Sequence, residues 1–585
     1  MASVRQIDCL GNLSVLKIAA LRIAALFLFI SGLAYPSESP VSGPNILLLL
    51  AEDMSSHVGA FGDPAAVTPN LDKLARDGVR FTNTYTTAGI CAPSRASLLT
   101  GVHQIATGTQ HMRTSQPPTI PAYKSVPPAQ IKAFPELMRA AGYYTFTNDK
   151  LDYQFSGTFS NSGPFTIWDA EGSSPFTLWN TKSRRKTPWE DRAEGQSFFG
   201  LVNFLVTHES GVFKPFGVRP NSIVHLIMQV MHELGDYEVG QGPVTSQQIT
   251  VPPYYPDTVT VREDMARHYN NIYQMDLMVG EIMARLDVQG LLEDTIVIWT
   301  TDHGDGLPRA KRSLYDSGLK VPMIIRWPER YQPVHLKRGQ LDKRMISFVD
   351  LMPSILTMAG VEVPEHAVGQ NFLTANPQRD TIFASQDRVD SNYDRQRAIR
   401  DTRYKYIRSW YPDQPLGYSD EYRDNQAMMR EILALHAAGE LNKAQESWFK
   451  PPGEEQLYDT LNDPFELNNL AADSQYREIK HQMSNALEKW LQQTGDWSEQ
   501  PESIMVEGFL KNGKAEVTEA PEIYVLGSAI TIACSTVGAS IGYRLDDGAW
   551  QLYSGPFTTG TGVIVTAKAV RYGWNESEET TKVMK

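Results

Sequence analysis

The sequence predicts an α/β fold with a small all-β module at its C-terminal end. Short apolar runs have the character of buried parallel strands, and amphipathic segments between them have the character of helices. The helical pattern is clearest over 262–286, where apolar residues recur every three or four positions. Strands that alternate with helices predict a sheet covered on both faces, with ligand groups at the carboxyl ends of the strands.

The size and composition indicate a folded protein of several domains. A chain of 585 residues exceeds one ordinary core, and its contents of 42% hydrophobic and 21% charged residues are typical of globular proteins. The formal net charge of −13 argues against nucleic acid as a partner. An anionic ligand would therefore have to be bound by a local cluster of basic residues.

The first 34 residues have the pattern of a secretory signal peptide. Basic residues precede the apolar run Ile23–Leu33, and a polar, proline-rich stretch follows it. The run is too short to span a membrane, so we expect cleavage near Ala34, no membrane span in the mature chain, and a periplasmic or secreted location. Cys91 and Cys534 would then remain, and two such distant cysteines indicate no disulfide framework.

Five apolar runs are expected to form strands of the main sheet. The first, Asn45–Leu50, lies between a proline and an acidic pair, which is typical of a fully buried parallel strand. These runs predict one α/β domain over 45–375. The other four runs are 143–146, 198–206, 295–300 and 321–327.

The pattern changes beyond this domain. Two strands and two helices predict a smaller α+β subdomain over 376–500, and we expect a linker over 496–521. Residues 518–585 alternate β-branched and aromatic residues with turns such as Asp547-Gly548, which predicts a β-sandwich. The strands of the α+β subdomain are expected at 381–385 and 404–408, and its helices at 426–441 and 479–494.

The most informative motif is Cys91-Ala92-Pro93-Ser94-Arg95, continued by Leu99-Thr100-Gly101. Proline suits a first helical turn, so the motif predicts a helix start with free backbone N–H groups. Such a terminus favours an anion, and Arg95 adds charge-assisted donors.

This motif resembles the nucleophile motif of the type I sulfatases, which belong to the alkaline-phosphatase-like superfamily. In that family the cysteine is oxidised to Cα-formylglycine (3-oxoalanine), whose hydrated aldehyde attacks sulfur. The resemblance implies that Cys91 is the modified nucleophile, that Arg95 is catalytic, and that a formylglycine-installing enzyme is a partner. It also implies an alkaline-phosphatase-like sulfatase core with a C-terminal subdomain.

Two pairs of candidate metal ligands follow predicted strands. Glu52-Asp53 follows the first strand and Asp302-His303 follows 295–300, so both pairs should meet at one sheet edge. The family places metal ligands at these positions, although it usually has aspartate where Glu52 stands. Carboxylate oxygens in an all-protein site suit Ca²⁺ better than Mg²⁺.

The resemblance implies three further catalytic residues. Lys311 matches the lysine that contacts the sulfate and the leaving oxygen, Lys150 matches a second lysine, and His208 matches the histidine that can protonate the leaving group. Around Lys150 the sequence has Asp149-Lys150-Leu151-Asp152 where the family has Gly-Lys-x-His. Whether Asp152 or another histidine replaces the missing histidine stays open.

Three residues are predicted to contact substrate, namely His111, Asp152 and Arg388. Together these features predict a calcium-dependent sulfatase that acts on a sulfated carbohydrate such as ulvan, carrageenan, fucoidan or a glycosaminoglycan. The sequence is similar to bacterial polysaccharide sulfatases and to the heparan N-sulfatase group, so O-sulfate and N-sulfate both stay open. The alternatives are a phosphonate monoester hydrolase or phosphodiesterase on the same scaffold, and an inactive glycan-binding protein. The C-terminal module is either an accessory glycan module or a packing domain.

Overall fold

The computed structural model describes residues 43–112, 121–148, 150–155, 176–182, 187–235, 238–377 and 379–585. The predicted signal peptide lies outside these residues. Within them, no helix combines the length and the hydropathy needed to cross a membrane.

The centre of the fold is an eight-stranded mixed sheet of order β4-β3-β5-β1-β6-β7-β2-β8. The strands from β4 to β6 are parallel to one another, and β1 lies between β5 and β6. All five predicted strands are present. The strands are β1 Asn45–Ala51, β2 Val79–Tyr85, β3 Tyr144–Thr147, β4 Thr181–Lys182, β5 Phe198–Phe204, β6 Thr295–Thr301, β7 Lys320–Arg326 and β8 Leu341–Ser347.

One predicted strand differs in direction from the expectation of a parallel sheet. Strand β7 pairs antiparallel with both β6 and β2. The connection from β6 to β7 contains only one four-residue helix, whereas a parallel return usually crosses the sheet through a full helix. The connection therefore stays at one edge of the sheet.

Helices cover both faces of the sheet because the residues of β1 alternate between two cores. Ile46, Leu48 and Leu50 pack against α2, α4 and α8, and Leu47 and Leu49 pack against α1 and α6. The predicted α/β class is therefore confirmed. The α-helices are α1 Pro69–Asp77, α2 Cys91–Thr100, α3 Gln104–Thr107, α4 Phe134–Ala140, α5 Ile223–Leu234, α6 Val259–Val288, α7 Asp316–Leu319, α8 Leu351–Ala359, α9 Ala427–Ala438, α10 Lys443–Glu446, α11 Arg477–Thr494 and α12 Glu502–Phe509.

A four-stranded antiparallel sheet of order β12-β11-β10-β9 follows in the chain. Helix α11 packs on it through Met483, Leu487 and Trp490. Its other face contacts the main domain near Tyr85 and Leu314. The strands are β9 Ile382–Gln386, β10 Gln396–Arg400, β11 Tyr404–Ser409 and β12 Glu455–Asp459.

The segment 496–521 is folded, so the prediction of a linker there is wrong. It contains α12 and the hairpin of β13 (Leu510–Lys511) and β14 (Lys514–Ala515). Met505 and Phe509 of α12 are buried against Tyr123. The apolar residues of this short helix are spaced to cover a neighbouring surface, a pattern that the polar residues on either side of the helix obscure in the sequence.

The C-terminal strands form two antiparallel sheets around a small apolar core, as predicted for a β-sandwich. The sandwich also packs on the main domain. The ring of Tyr572 stacks on Phe155 at 4.9 Å, and its hydroxyl contacts Glu136. The domain limits themselves stay predictions. The strands are β15 Glu522–Leu526, β16 Ala529–Ala533, β17 Ser540–Leu545, β18 Gln551–Leu552, β19 Phe557–Thr558, β20 Ile564–Val570 and β21 Thr580–Val583.

Candidate active site

Both predicted pairs of metal ligands meet at the carboxyl edge of the main sheet. Glu52 and Asp53 follow β1, Asp302 and His303 follow its parallel neighbour β6, and all four residues are completely buried. The backbone N–H of Asp53 donates to Oδ1 of Asp302 at 3.1 Å. Asp53 has a φ of +50°, a left-handed conformation that is uncommon outside glycine, although aspartate adopts it more readily than most residues.

Cys91 is the first residue of α2, as the motif predicts, and only 1% of its surface is exposed. Its Sγ lies 3.3 Å from Nε2 of His303, 3.6 Å from Oδ1 of Asp53 and 3.9 Å from Oε2 of Glu52. The cysteine therefore lies at a helix N-terminus and in contact with both pairs, where an anionic group is favoured by the backbone N–H groups.

Arg95 joins the two pairs from the next turn of α2. Its Nε donates to Asp302 at 3.0 Å, and its guanidinium also contacts Glu52 and Oδ1 of Asn203, the last at 2.6 Å. Burial lowers the pKa of Arg95, but the carboxylates of Glu52 and Asp302 outweigh burial and raise it. Asn203 is held in turn by Asn148 at 2.9 Å. The sequence analysis did not identify Asn203, although it lies in the strand end that precedes His208.

The two predicted lysines contact different carboxylates of the site. Nζ of Lys150 lies 3.2 Å from Oε2 of Glu52. Nζ of Lys311 lies 2.6 Å from Oδ2 of Asp53 and 3.1 Å from Oε1 of Glu209. Burial raises the pKa of Asp53, but Lys311 and the nearby histidines outweigh it and hold that pKa well below its usual range. Asp53 is therefore ionised.

His208 lies at the end of a short turn after β5, with Nε2 3.9 Å from Oδ2 of Asp53. Its Nδ1 lies 3.0 Å from the hydroxyl of Ser210, which lies 3.2 Å from Nε2 of His232. Burial and the charge of Lys311 lower the pKa of His208 well below its ordinary value. The imidazole is therefore neutral at neutral pH in the protein without substrate.

A narrow cavity opens over the thiol of Cys91. It brings together five of the predicted residues, and six that the sequence analysis did not identify also line it. The predicted residues are Cys91, Lys150, Asp152, His208 and Lys311, and the others are Ile90, Met112, Glu209, Arg312, Val389 and Tyr422.

Glu209 and Arg312 form a buried pair in the wall of this cavity. The two guanidinium nitrogens Nη1 and Nη2 of Arg312 each lie 2.9 Å from a carboxylate oxygen of Glu209. Arg312 has a φ of +68°, which is strained for a non-glycine residue and typical of functional loops. Each residue directly follows a predicted site residue, His208 or Lys311, and that adjacency is the one signal that the sequence carried.

The three predicted substrate contacts occupy different positions. Asp152 is buried and lines the cavity. His111 is buried beside it, where its carbonyl accepts from Gln154. Arg388 is completely buried, and its Nε and Nη2 each lie 2.6 Å from the carboxylate of Glu502. Neither Arg388 nor His111 lines the cavity, although Nη1 of Arg388 donates to the carbonyl of the cavity residue Met112 at 3.1 Å.

The donor set at the sheet edge fits a divalent cation. The ligand atoms of Asp53, Cys91, Asp302 and His303 lie within 4.8 Å of one another, and those of Glu52 and His208 also approach Asp53 and Cys91. Buried carboxylate oxygens from two adjacent strands are the donors that hard cations prefer.

Comparisons with known proteins agree with this arrangement. A family model described as Sulfatase matches residues 44–361, and one described as N-sulphoglucosamine sulphohydrolase, C-terminal matches 309–447. An ulvan-active sulfatase of Formosa agariphila is 38% identical, covering 92% of this chain and 90% of that protein. The N-sulphoglucosamine sulphohydrolase of Homo sapiens is 28% identical, covering 79% and 93%. The crystal structure of a phosphonate monoester hydrolase of Agrobacterium radiobacter shares the fold, with a TM-score of 0.50 and 20% identity over 77% of this chain and 96% of that one.

The fold and the site together define an α/β protein with a buried cysteine among cations and carboxylates at a sheet edge. The chain belongs to the type I sulfatase family, and it is a sulfuric ester hydrolase. The family and the enzyme class predicted from the Cys91 motif are therefore confirmed.

Proposed function

We propose that this protein removes sulfate from a sulfated polysaccharide, or from oligosaccharides derived from it, and that ulvan is the first substrate to test. The observation that carries the proposal is the position of Cys91, at a helix N-terminus within a cavity that also contains Lys150, His208 and Lys311. The identity to an ulvan-active sulfatase over 92% of the chain supports the substrate class.

The proposal includes oxidation of Cys91 to formylglycine by a maturation enzyme. The hydrated aldehyde would supply the oxygen nucleophile for sulfur. The free N–H groups of α2 and the nearby cations would favour an ionised nucleophile there. The motif around Cys91 and the membership of the sulfatase family support this modification.

The proposal also includes Ca²⁺ at the sheet edge, held by Asp53, Asp302 and His303 with Glu52 as a further ligand. Such a cation would neutralise sulfate oxygens. Three carboxylates favour Ca²⁺ over Mg²⁺, because Mg²⁺ retains several waters and rarely occupies an all-protein site.

Side chains of the protein would also bind the sulfate group and stabilise the leaving group. Burial lowers the pKa of Lys311, but the carboxylates of Asp53 and Glu209 outweigh burial and raise that pKa well above its usual value. Lys311 therefore stays an ammonium ion. It can stabilise the negative charge that develops on the departing sugar oxygen. His208 is neutral before substrate binds, and its Nε2 faces the same space as a hydrogen-bond partner for sulfate. Arg95 holds Glu52 and Asp302 in place.

This proposal includes two further points, the kind of sulfate group that is removed and the location of the enzyme. The match of residues 309–447 to the C-terminal part of N-sulphoglucosamine sulphohydrolase supports N-sulfate as an alternative to O-sulfate. The signal-peptide pattern of the first 34 residues supports a periplasmic or secreted enzyme, which meets extracellular polysaccharide.

Sulfate release from a panel of substrates tests the proposal. The enzyme, produced in a host that installs formylglycine, is incubated with ulvan oligosaccharides, carrageenan, fucoidan and heparan oligosaccharides, N-sulfoglucosamine and a phosphonate monoester. We expect sulfate release from ulvan oligosaccharides. Faster turnover of the phosphonate would favour the phosphonate monoester hydrolase alternative. Binding without turnover, with the aldehyde present at residue 91, would favour a glycan-binding protein.

A further inference from the structure

Two histidines and an aspartate converge at a second point, outside the catalytic cavity. His57 follows β1, His268 lies on α6 and Asp305 follows β6. Nε2 of His57 lies 3.0 Å from Oδ2 of Asp305, and Nε2 of His268 lies 3.3 Å from Oδ1. The three ligand atoms lie within 4.8 Å of one another, so one carboxylate stands between two imidazoles from distant parts of the chain.

The second ring nitrogen of His57 contacts a carboxylate, as the second nitrogen of a metal-bound histidine usually does. Its Nδ1 lies 2.9 Å from Oδ2 of Asp63, and the hydroxyl of Tyr269 donates to the same carboxylate at 2.6 Å. A carboxylate on the distal nitrogen fixes the tautomer and the ring orientation, and it makes the free nitrogen a better ligand. Nε2 of His57 is therefore directed at Asp305.

In the described part of the chain, only protons on the histidines can balance the charges of this cluster. Among the described residues, no lysine or arginine forms an ion pair with Asp63 or Asp305, whose partners in ion pairs are histidines. The catalytic carboxylates differ, because each contacts an arginine or a lysine. A proton on each histidine would offset the two negative charges, and a divalent cation would offset them in place of those protons.

We propose that His57, His268 and Asp305 bind a divalent transition-metal ion, Zn²⁺ in the first instance. Two imidazoles and one carboxylate suit zinc rather than calcium. Tetrahedral zinc with bonds of about 2.0–2.1 Å spaces its ligands roughly 3.3 Å apart, close to the distances of 3.0 Å and 3.3 Å from the two histidines to Oδ2 and Oδ1 of Asp305, respectively. The side chain of His57 is 22% exposed, which leaves a path for the ion and a fourth position for water.

The ion would stabilise the loops after β1 and β6, which contain predicted catalytic residues. The backbone N–H of Ser55 donates to Oδ1 of Asp305 at 2.7 Å. The carbonyl of Asp305 accepts from the N–H of Lys311 at 3.0 Å, and the N–H of Gly306 donates to the carbonyl of Asp53 at 2.8 Å. Zinc bound here would tie β1, β6 and α6 together next to the catalytic site, and this inference is independent of the substrate.

Metal analysis of the purified full chain tests the proposal. The protein, prepared without a polyhistidine tag and stripped with chelator, is dialysed against equimolar Zn²⁺ and analysed by mass spectrometry of metals. We expect one zinc per chain in the wild type and in the surface control His481→Gln, and none in His57→Gln or His268→Gln. Asp63→Asn should weaken zinc binding by roughly 10–100-fold, the usual effect of losing such a partner.

The catalytic site needs its own control, because it also contains ligand atoms. Asp302→Asn should retain the zinc. Absence of zinc from the wild type, or retention of zinc by His57→Gln, would overturn the proposal. Loss of zinc in Asp302→Asn together with retention in His57→Gln would assign the ion to the catalytic edge instead. If the completely buried His268 is needed for folding, His57→Gln decides alone.

Discussion

The ammonium group of Lys311 lies 2.6 Å from Oδ2 of Asp53, and both residues are buried. The contact joins the loop after β6 to the end of β1. One carboxylate is thereby shared between a candidate metal site and the cation that we propose stabilises the leaving oxygen. Removal of either residue should therefore affect both the stability and the chemistry of the site.

Lys311→Ala should reduce kcat by about 10²–10³-fold, the usual effect of losing one donor that stabilises developing charge. It should also lower the free energy of unfolding by about 3–5 kcal/mol, because Asp53 and Glu209 lose a buried counter-charge. Lys311→Arg should keep more stability than activity. Steady-state kinetics and urea unfolding measure the two effects, with the surface variant Lys480→Ala as control. Wild-type kcat in Lys311→Ala would contradict its catalytic role.

Arg95→Ala should destabilise the protein by about 3–5 kcal/mol, because Glu52 and Asp302 would remain buried without this counter-charge. Arg408→Ala is the matched control, since Arg408 pairs with Glu488 at the surface and such pairs contribute about 0–1 kcal/mol. Chemical unfolding of both variants measures the difference. Equal losses of stability in the two variants would show that Arg95 does not stabilise the buried carboxylates of the site.

Removal of divalent cations should abolish sulfate release, because Asp53 and Asp302 would lose the cation that we propose neutralises sulfate. Restoration by Ca²⁺ should exceed restoration by Mg²⁺ at equal concentration. Activity after treatment with chelator and readdition of each ion measures this, and Asp53→Asn should not be restored by either ion. Full activity in the stripped protein would exclude a metal at this edge.

Arg388→Ala should change stability and leave KM unchanged, because the guanidinium is engaged by Glu502 rather than by the cavity. The free energy of unfolding should fall by about 3–5 kcal/mol, because the carboxylate of Glu502 would stay buried without its counter-charge. The double variant Arg388→Met/Glu502→Met should recover most of this loss, since an apolar pair can replace a buried ion pair. A raised KM at wild-type stability would instead support the substrate contact predicted from the sequence.

The sequence could predict the parts of this protein that depend on local pattern. The run Asn45–Leu50 is apolar on both faces after its first residue, which is typical of a buried strand, and polar residues directly after such a strand are expected at a sheet edge. The Cys91 motif could be placed at a helix start for the same local reason. Strands β2 and β8 escaped prediction because polar residues interrupt their apolar pattern.

Contacts between distant segments could not be predicted in this way. The ion pair of Arg388 could not be predicted because its partner Glu502 is 114 residues away in a segment with the composition of a linker. Glu209 and Arg312 were missed for the same reason, since each acquires its role only through the other. His57, His268 and Asp305 carry no recognisable spacing, and only the fold brings them together.

The central claim is that residue 91 is the oxidised nucleophile of a sulfatase. The most direct measurement combines mass spectrometry of the peptide containing residue 91 with sulfate release from ulvan oligosaccharides by the same preparation. The account predicts that sulfate release rises in proportion to the fraction of formylglycine and that Cys91→Ala releases none. Sulfate release by Cys91→Ala, or by a preparation that contains only unmodified cysteine, would contradict it.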